Sequence, residues 1–179
     1  MDVTHLAFLE MSRRLLTRHY LPKIRLSVEA MSDDDVWWRP DETVNAAGNL
    51  LLHLAGNARQ WIVSGVGGAP DARDRAREFA ERARLPRAEL LARLSAVVDD
   101  VDATIARVTP EQLGDRRSIQ GRDVTVFEAI YHVIEHFSMH TGQIILLAKL
   151  RAPGAIRFYD DTGGSAKPLW PEAQPDLGR

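Results

Sequence analysis

The sequence contains no cysteine. That absence excludes a disulfide framework, thiolate metal ligands and a cysteine nucleophile, so any thiol chemistry has to come from a bound small molecule. Also missing is any run approaching the ~18 apolar residues of a membrane-spanning helix. The opening, MDVTHLAFLEMSRRLL, sets Asp2 and Glu10 where a secretory signal carries a basic start and an apolar centre, so a cytoplasmic protein is expected. Positive charge is not in excess: the formal net charge is −2, which argues against the broad basic surface of a nucleic-acid-binding protein. The glycine cluster GVGGAP is no phosphate loop, because no strand precedes it, no lysine follows in register, and Pro70 stands where a third glycine would be needed.

Sustained strand alternation is lacking as well, and what remains is helical periodicity. With 179 residues the chain suits one domain with one core. The first helical stretch runs from about Thr4 to Met31, with Pro22 as an expected kink. Ser32 and Asp35 then cap a short turn, and Trp37 and Trp38 follow as a hydrophobic plug at one end. A second helix starts from Asn45 as N-cap and continues through AAGNLLLHLAGNARQWIVSG to Gly65. The segment PDARDRAREFAERAR, alternating arginine with acids, reads as a solvated helical face. A third helix begins near Pro86 and ends before Pro110, burying Leu90, Leu94, Val97, Val101 and Ile105. The fourth opens with a Thr125–Glu128 capping box and reaches about Leu150. The expected fold is an all-α four-helix bundle over residues 1–150, with an irregular C-terminal tail, 151–179, packed on it.

Three of the six histidines fall in YHVIEHFSMHTGQI, each four residues from the next. At about 100° per residue, His132, His136 and His140 share one helix face, but the outer two lie about 12 Å apart along the axis. One adjacent pair can chelate an ion with bonds near 2 Å; all three cannot. A further ligand must come from another helix, and His53 is the candidate. It lies in a polar stripe of Asn49, His53, Asn57 and Gln60, opposite a comparable stripe of Glu128, His132, His136, His140 and Gln143. Burying two such stripes is costly unless they satisfy each other, hold an ion or line a wet pocket. His5 and His19 lack such a setting and are read as non-ligands.

At these residues the sequence resembles the DinB-like superfamily of helical-bundle proteins, which includes the YfiT-like metal-dependent hydrolases. NLLLHLAGNARQWI is similar to the family's second-helix segment around its first metal histidine. HVIEHFSMHTGQI is similar to its fourth-helix pattern, and VWWRP to its entry to the second helix. The resemblance spans roughly residues 4–150. It implies a ligand triad of His53, His136 and His140, with His132 one turn before the chelating pair as a supporting group or pocket wall. It also implies a divalent ion such as zinc or nickel, a homodimer, and chemistry ranging from hydrolysis to transfer dependent on a low-molecular-weight thiol.

Two functional classes follow. One is an enzyme acting on a small-molecule substrate, in which the ion activates water or a low-molecular-weight thiol as nucleophile. The other is a non-enzymatic bundle that binds a metal or a small molecule. Around the triad, Asn57 is a candidate hydrogen-bond partner of a ligand or substrate, and Glu135 one that either orients a ligand or faces solvent. Arg59 is a candidate for holding a cofactor's charged groups, with surface ion pairing as the alternative. Ile144, Ile145 and Leu147 are candidates either for a dimer face or for core.

Overall fold

In the computed structural model, which describes residues 3–170, the first long helix is not broken at Pro22 but widened before it. α1 (Val3–Arg14) passes into a π-helical turn, Leu15–Tyr20, and then into α2 (Leu21–Glu29). The Leu21 N–H reaches back five residues to the Leu16 carbonyl, so Pro22 falls in the first turn of α2, where a missing N–H costs least. Pro22 still has no donor to offer the Arg18 carbonyl four residues back. Trp170 Nε1 donates to it instead, at 2.9 Å.

α3 (Asp33–Val36) is a single turn closed by the Ser32–Asp35 capping box. α4 (Ala47–Ala58) continues into a second π-helical segment, Arg59–Val66. Its N-cap is Ala46 rather than Asn45 and makes no side-chain cap. Ala46 and Ala47 are buried, so packing sets this entry where a polar cap was expected. Next to them the Trp37 ring occupies the space where a side chain on Gly48 would start, and its Nε1 donates to the Leu85 carbonyl at 2.9 Å. α5 (Arg75–Ala80), α6 (Arg87–Ile105), a 3-10 turn at Pro110–Gly114 and α7 (Val126–Arg151) complete the helices. The Thr125–Glu128 box opens α7, satisfying backbone donors at both residues.

α4 packs against α5, α6 and α7, and α2 against α6 and α7, which makes the all-α four-helix bundle. The buried stripe of α6 is Leu90, Leu94, Val98, Val101 and Ile105. Val98 takes the place expected of Val97, because steps of four, four, three and four hold the stripe on one face while Val97 turns partly outward. On α7, Ile144 and Leu147 belong to the core, and Ile145 is half-buried. The apolar side chains left outside on that helix are Phe127, Tyr131, Met139, Leu146 and Leu150.

Two short hairpins depart from the strand-free expectation. β1 (Arg116–Ile119) and β2 (Arg122–Thr125) pair antiparallel around Gln120 and Gly121, whose φ angles of 53° and 71° suit a two-residue hairpin turn. Ile119 anchors this hairpin against Gly65, where an added Cβ would sit 2.4 Å from the isoleucine Cδ1. Four-residue strands with arginine and aspartate on the outside carry too little alternation to be read in sequence. In the tail, β3 (Tyr159–Asp160) pairs with β4 (Lys167–Pro168), and Trp170 is buried against the first helix. There the Lys23 ammonium lies 4.5 Å from the Trp170 ring centroid and donates to the Tyr159 hydroxyl at 3.0 Å. The expected packing of the tail beyond this point, residues 171–179, lies outside the described residues. No described helix is long and apolar enough to cross a membrane.

Trp170 thus holds the tail in two separable ways. Trp170→Phe, which removes the donor and keeps a ring over Lys23, is expected to cost about 1 kcal/mol, and Trp170→Ala about 3 kcal/mol or more. Urea denaturation measures both; equal losses would mean that the bond to Arg18 contributes all of the attachment.

Candidate metal centre

The contact between α4 and α7 brings His53 onto the histidine face of α7. His53 Nε2 lies 2.9 Å from His136 Nε2, and one ring nitrogen from each of His53, His136 and His140 falls within 4.8 Å of the others. Among the described residues, these three form the group able to hold a metal ion; His132, His5 and His19 are outside it. His53 and His140 are buried and His136 is half-buried. Burial, joined by the neighbouring imidazoles, pushes the His136 pKa down to about 3. Burial likewise lowers that of His140. Both rings are therefore neutral at physiological pH, the form a metal requires.

Hydrogen bonds settle which nitrogen is free on two of the rings, His53 and His140. His53 Nδ1 is 2.8 Å from Glu78 Oε2, and His140 Nδ1 is 2.6 Å from Gln143 Oε1. An ionised carboxylate and an amide oxygen only accept, so both Nδ1 atoms donate and both Nε2 atoms keep a lone pair. His140 Nε2 is buried with no hydrogen-bond partner. The 2.9 Å approach of His53 Nε2 and His136 Nε2 is repulsive unless a proton or a cation lies between them. Converging imidazole nitrogens, with Nδ1 of His53 and of His140 anchored, are a donor set that fits a divalent metal ion.

The anchor behind His53 is a buried ion pair. Arg73 grips Glu78 with both arms of its guanidinium, Nε to Oε1 at 2.7 Å and Nη2 to Oε2 at 2.9 Å, and its Nη1 donates to Gln60 Oε1 at 2.9 Å. Burial raises the Glu78 pKa, but the hydrogen bonds from Arg73 and His53 and their charges outweigh it, leaving the carboxyl below its ordinary value. Gly56 makes the arrangement possible. A Cβ at that position would lie 1.9 Å from Glu78 Oε1, so only glycine lets the carboxylate reach across α4 to His53. Phe79, next in sequence, sets its ring centroid 4.5 Å from that of His53.

Arg73 and Glu78 come from the charged segment whose pattern predicts a solvated face. That expectation holds for Asp71, Asp74, Arg75 and Arg77 but fails for these two, because the pair neutralises itself before it is buried. The traces in sequence are slight: an aromatic residue after Glu78 and a glycine three residues after His53.

The other candidates sit around the cluster. His132 Nε2 accepts from Asn57 Nδ2 at 3.2 Å, and its ring lies 4.0 Å, centroid to centroid, from that of Trp61. Burial lowers the His132 pKa more than the Glu135 charge raises it. Asn57 Oδ1 is buried without a partner. Glu135 is exposed, so the carboxylate on the cluster is Glu78. Arg59 is exposed and meets Asp100 at 3.6 Å.

A helical bundle with three converging imidazoles at its centre defines a class of candidate metal proteins. A family model described as the DinB superfamily matches residues 16–144, a span that contains the whole cluster, and the chain belongs to that superfamily. No curated protein matches it.

Two outcomes follow from this geometry. Gly56→Ala should displace the Glu78 carboxylate and cost about 1–3 kcal/mol. By NMR it should also remove the downfield His53 Nδ1–H resonance; a resonance unchanged in the variant would contradict the role given to Gly56. The folded chain holds His136 neutral down to about pH 3, whereas the unfolded chain takes up a proton near 6.5. The metal-free protein is therefore expected to keep its full stability above the unfolded value and to lose it as pH falls toward 3. Urea midpoints measured with a chelator present should decline from about pH 7 to about pH 4; in His136→Phe the decline should be shallower.

Proposed function

We propose that this protein is a metal-dependent enzyme acting on a small molecule, with a zinc or nickel ion held by Nε2 of His53, His136 and His140. The observation that carries the reading is the convergence of one ring nitrogen from each of the three histidines while Nδ1 of His53 and of His140 is committed to Glu78 and Gln143. Bound there, a divalent ion supplies the charge that makes a water or a low-molecular-weight thiol nucleophilic near neutral pH. Three protein ligands rather than four among the described residues favour a catalytic over a structural ion, since a coordination position is left for a reactant.

The chain's own groups divide the remaining work. Glu78 fixes the His53 ring and tautomer, and Arg73 keeps that carboxylate ionised. Phe79 and the buried walls keep bulk water from His53. Asn57 donates to His132 and leaves Oδ1 as an acceptor for a substrate hydroxyl, amide or thiol. A cysteine-free chain acting on an exogenous thiol suits the reducing cytoplasm, the location we assign to it. The apolar side chains exposed along α7, among them Tyr131 and Leu146, support a homodimer.

Metal content measured by mass spectrometry tests the site. Protein purified without a tag or added metal should carry close to one equivalent. His53→Ala, His136→Ala and His140→Ala should lose it and His132→Ala should keep it. Glu78→Gln is expected to weaken metal binding by about 10–100-fold. No metal in any sample after reconstitution would overturn the enzymatic reading. Light scattering tests the dimer: wild type should run as two chains, and Tyr131→Glu with Leu146→Glu as one; a monomeric wild type would remove that part of the proposal.

A further inference from the structure

Beside the Arg73–Glu78 pair, which itself forms part of the lining, α4, α5 and Arg93 of α6 border an open cleft of about 560 Å³, a volume suited to a small molecule. None of the three clustered histidines lines it. Leu52 and Leu85 give it apolar surface, and Arg59, Arg77 and Arg93 bring three guanidinium groups to its rim.

The formal charges of the wall balance, but their commitments do not. Asp71 accepts from Gln60 Nε2 at 2.7 Å and from the Arg73 N–H at 3.0 Å, so it is used in closing its own loop. Asp74 caps α5 through the Arg77 N–H at 3.0 Å. Glu81 folds back on the N–H groups of Arg82 and Ala83, at 2.9 and 2.6 Å. Glu78 is consumed by Arg73 and His53. Asp71 and Glu78 thus use both carboxylate oxygens on donors within the wall, and Asp74 and Glu81 one each on backbone N–H groups of their own segments.

The rim arginines are differently placed. Arg59 meets Asp100 only at 3.6 Å, with both side chains half exposed. Arg93 pairs with Glu89, one turn back on its own helix and outside the cavity. The Arg77 side chain makes no hydrogen bond or ion pair among the described residues; its charge, like that of Arg93, is felt by Glu81. A guanidinium carries five N–H donors, so the rim offers many more donors than the wall's acceptors absorb.

We propose that this cavity binds a small organic anion, a carboxylate carried on an apolar body. Its apolar part packs on Leu52 and Leu85, and its charge is held by Arg77 together with Arg59 and Arg93. The proposal does not rest on the metal reading, because the histidines take no part in it.

The test compares benzoate, benzyl alcohol and benzylamine, ligands of one shape and three charges, added to the full-length protein with chelator present. Amide NMR shifts provide the readout. Benzoate is expected to shift Leu52, Gly56 and Leu85 saturably, with benzyl alcohol at least about tenfold weaker and benzylamine weaker still. Arg77→Ala and the double variant Arg59→Ala/Arg93→Ala should each weaken benzoate, by about tenfold for the double variant. All three arginines are exposed, so the variants should keep the wild-type circular dichroism. Benzyl alcohol binding as tightly as benzoate, benzoate affinity unchanged in both variants, or no saturable shift at these amides would each overturn the proposal.

Discussion

The grip of Arg73 on Glu78 is the interaction on which the centre of this molecule depends. A lone carboxylate at that depth would take up a proton to escape desolvation, and a protonated carboxyl no longer forces His53 into one tautomer. With the guanidinium in place the carboxylate stays charged, His53 Nδ1 donates, and Nε2 faces His136. A buried ion pair contributes little to stability by itself. Here its contribution is to orientation, and the bundle bears the desolvation cost for a defined imidazole geometry.

The same pair stands between the buried histidine cluster and an open cleft of opposite character. On one side lie neutral rings, lone pairs and buried acceptors without partners, an environment that attracts cations. On the other lies the arginine rim, rich in unused donors. Gly56 sits at the partition, and its missing side chain lets a charged residue reach from one helix to the next. The placement of one glycine on α4 therefore decides whether the Glu78 carboxylate of α5 can reach His53 along this path.

Much of this architecture is legible in the sequence because it follows from local rules. The capping boxes at Ser32–Asp35 and Thr125–Glu128 depend only on residues three apart, and both form. The four-residue histidine spacing and the polar stripe around His53 place the cluster on two facing helices, since helix geometry is nearly invariant. What sequence obscures is set by tertiary contacts. Arg73 and Glu78 have the composition of a surface segment, and their burial depends on a partner that no local pattern names. Asn45 has the chemistry of a cap, but burial of Ala46 and Ala47 selects a later start. The β1–β2 hairpin relies on Ile119 meeting Gly65, far apart in sequence. Exposed Glu135, by contrast, lies one residue from a clustered histidine and takes no part, because a step of about 100° carries it off the face.

The carbonyl that Pro22 leaves without a helical donor has a consequence for how the tail is aligned. Along an ordinary helix every inner carbonyl is already engaged, so a segment lying across it has only greasy ridges to follow and can creep by a turn with little change in energy. Pro22 has no donor for the Arg18 carbonyl, and one indole supplies it. The strap is therefore indexed like a pin in a hole: an imino acid four residues away marks the place along the helix where the indole can dock.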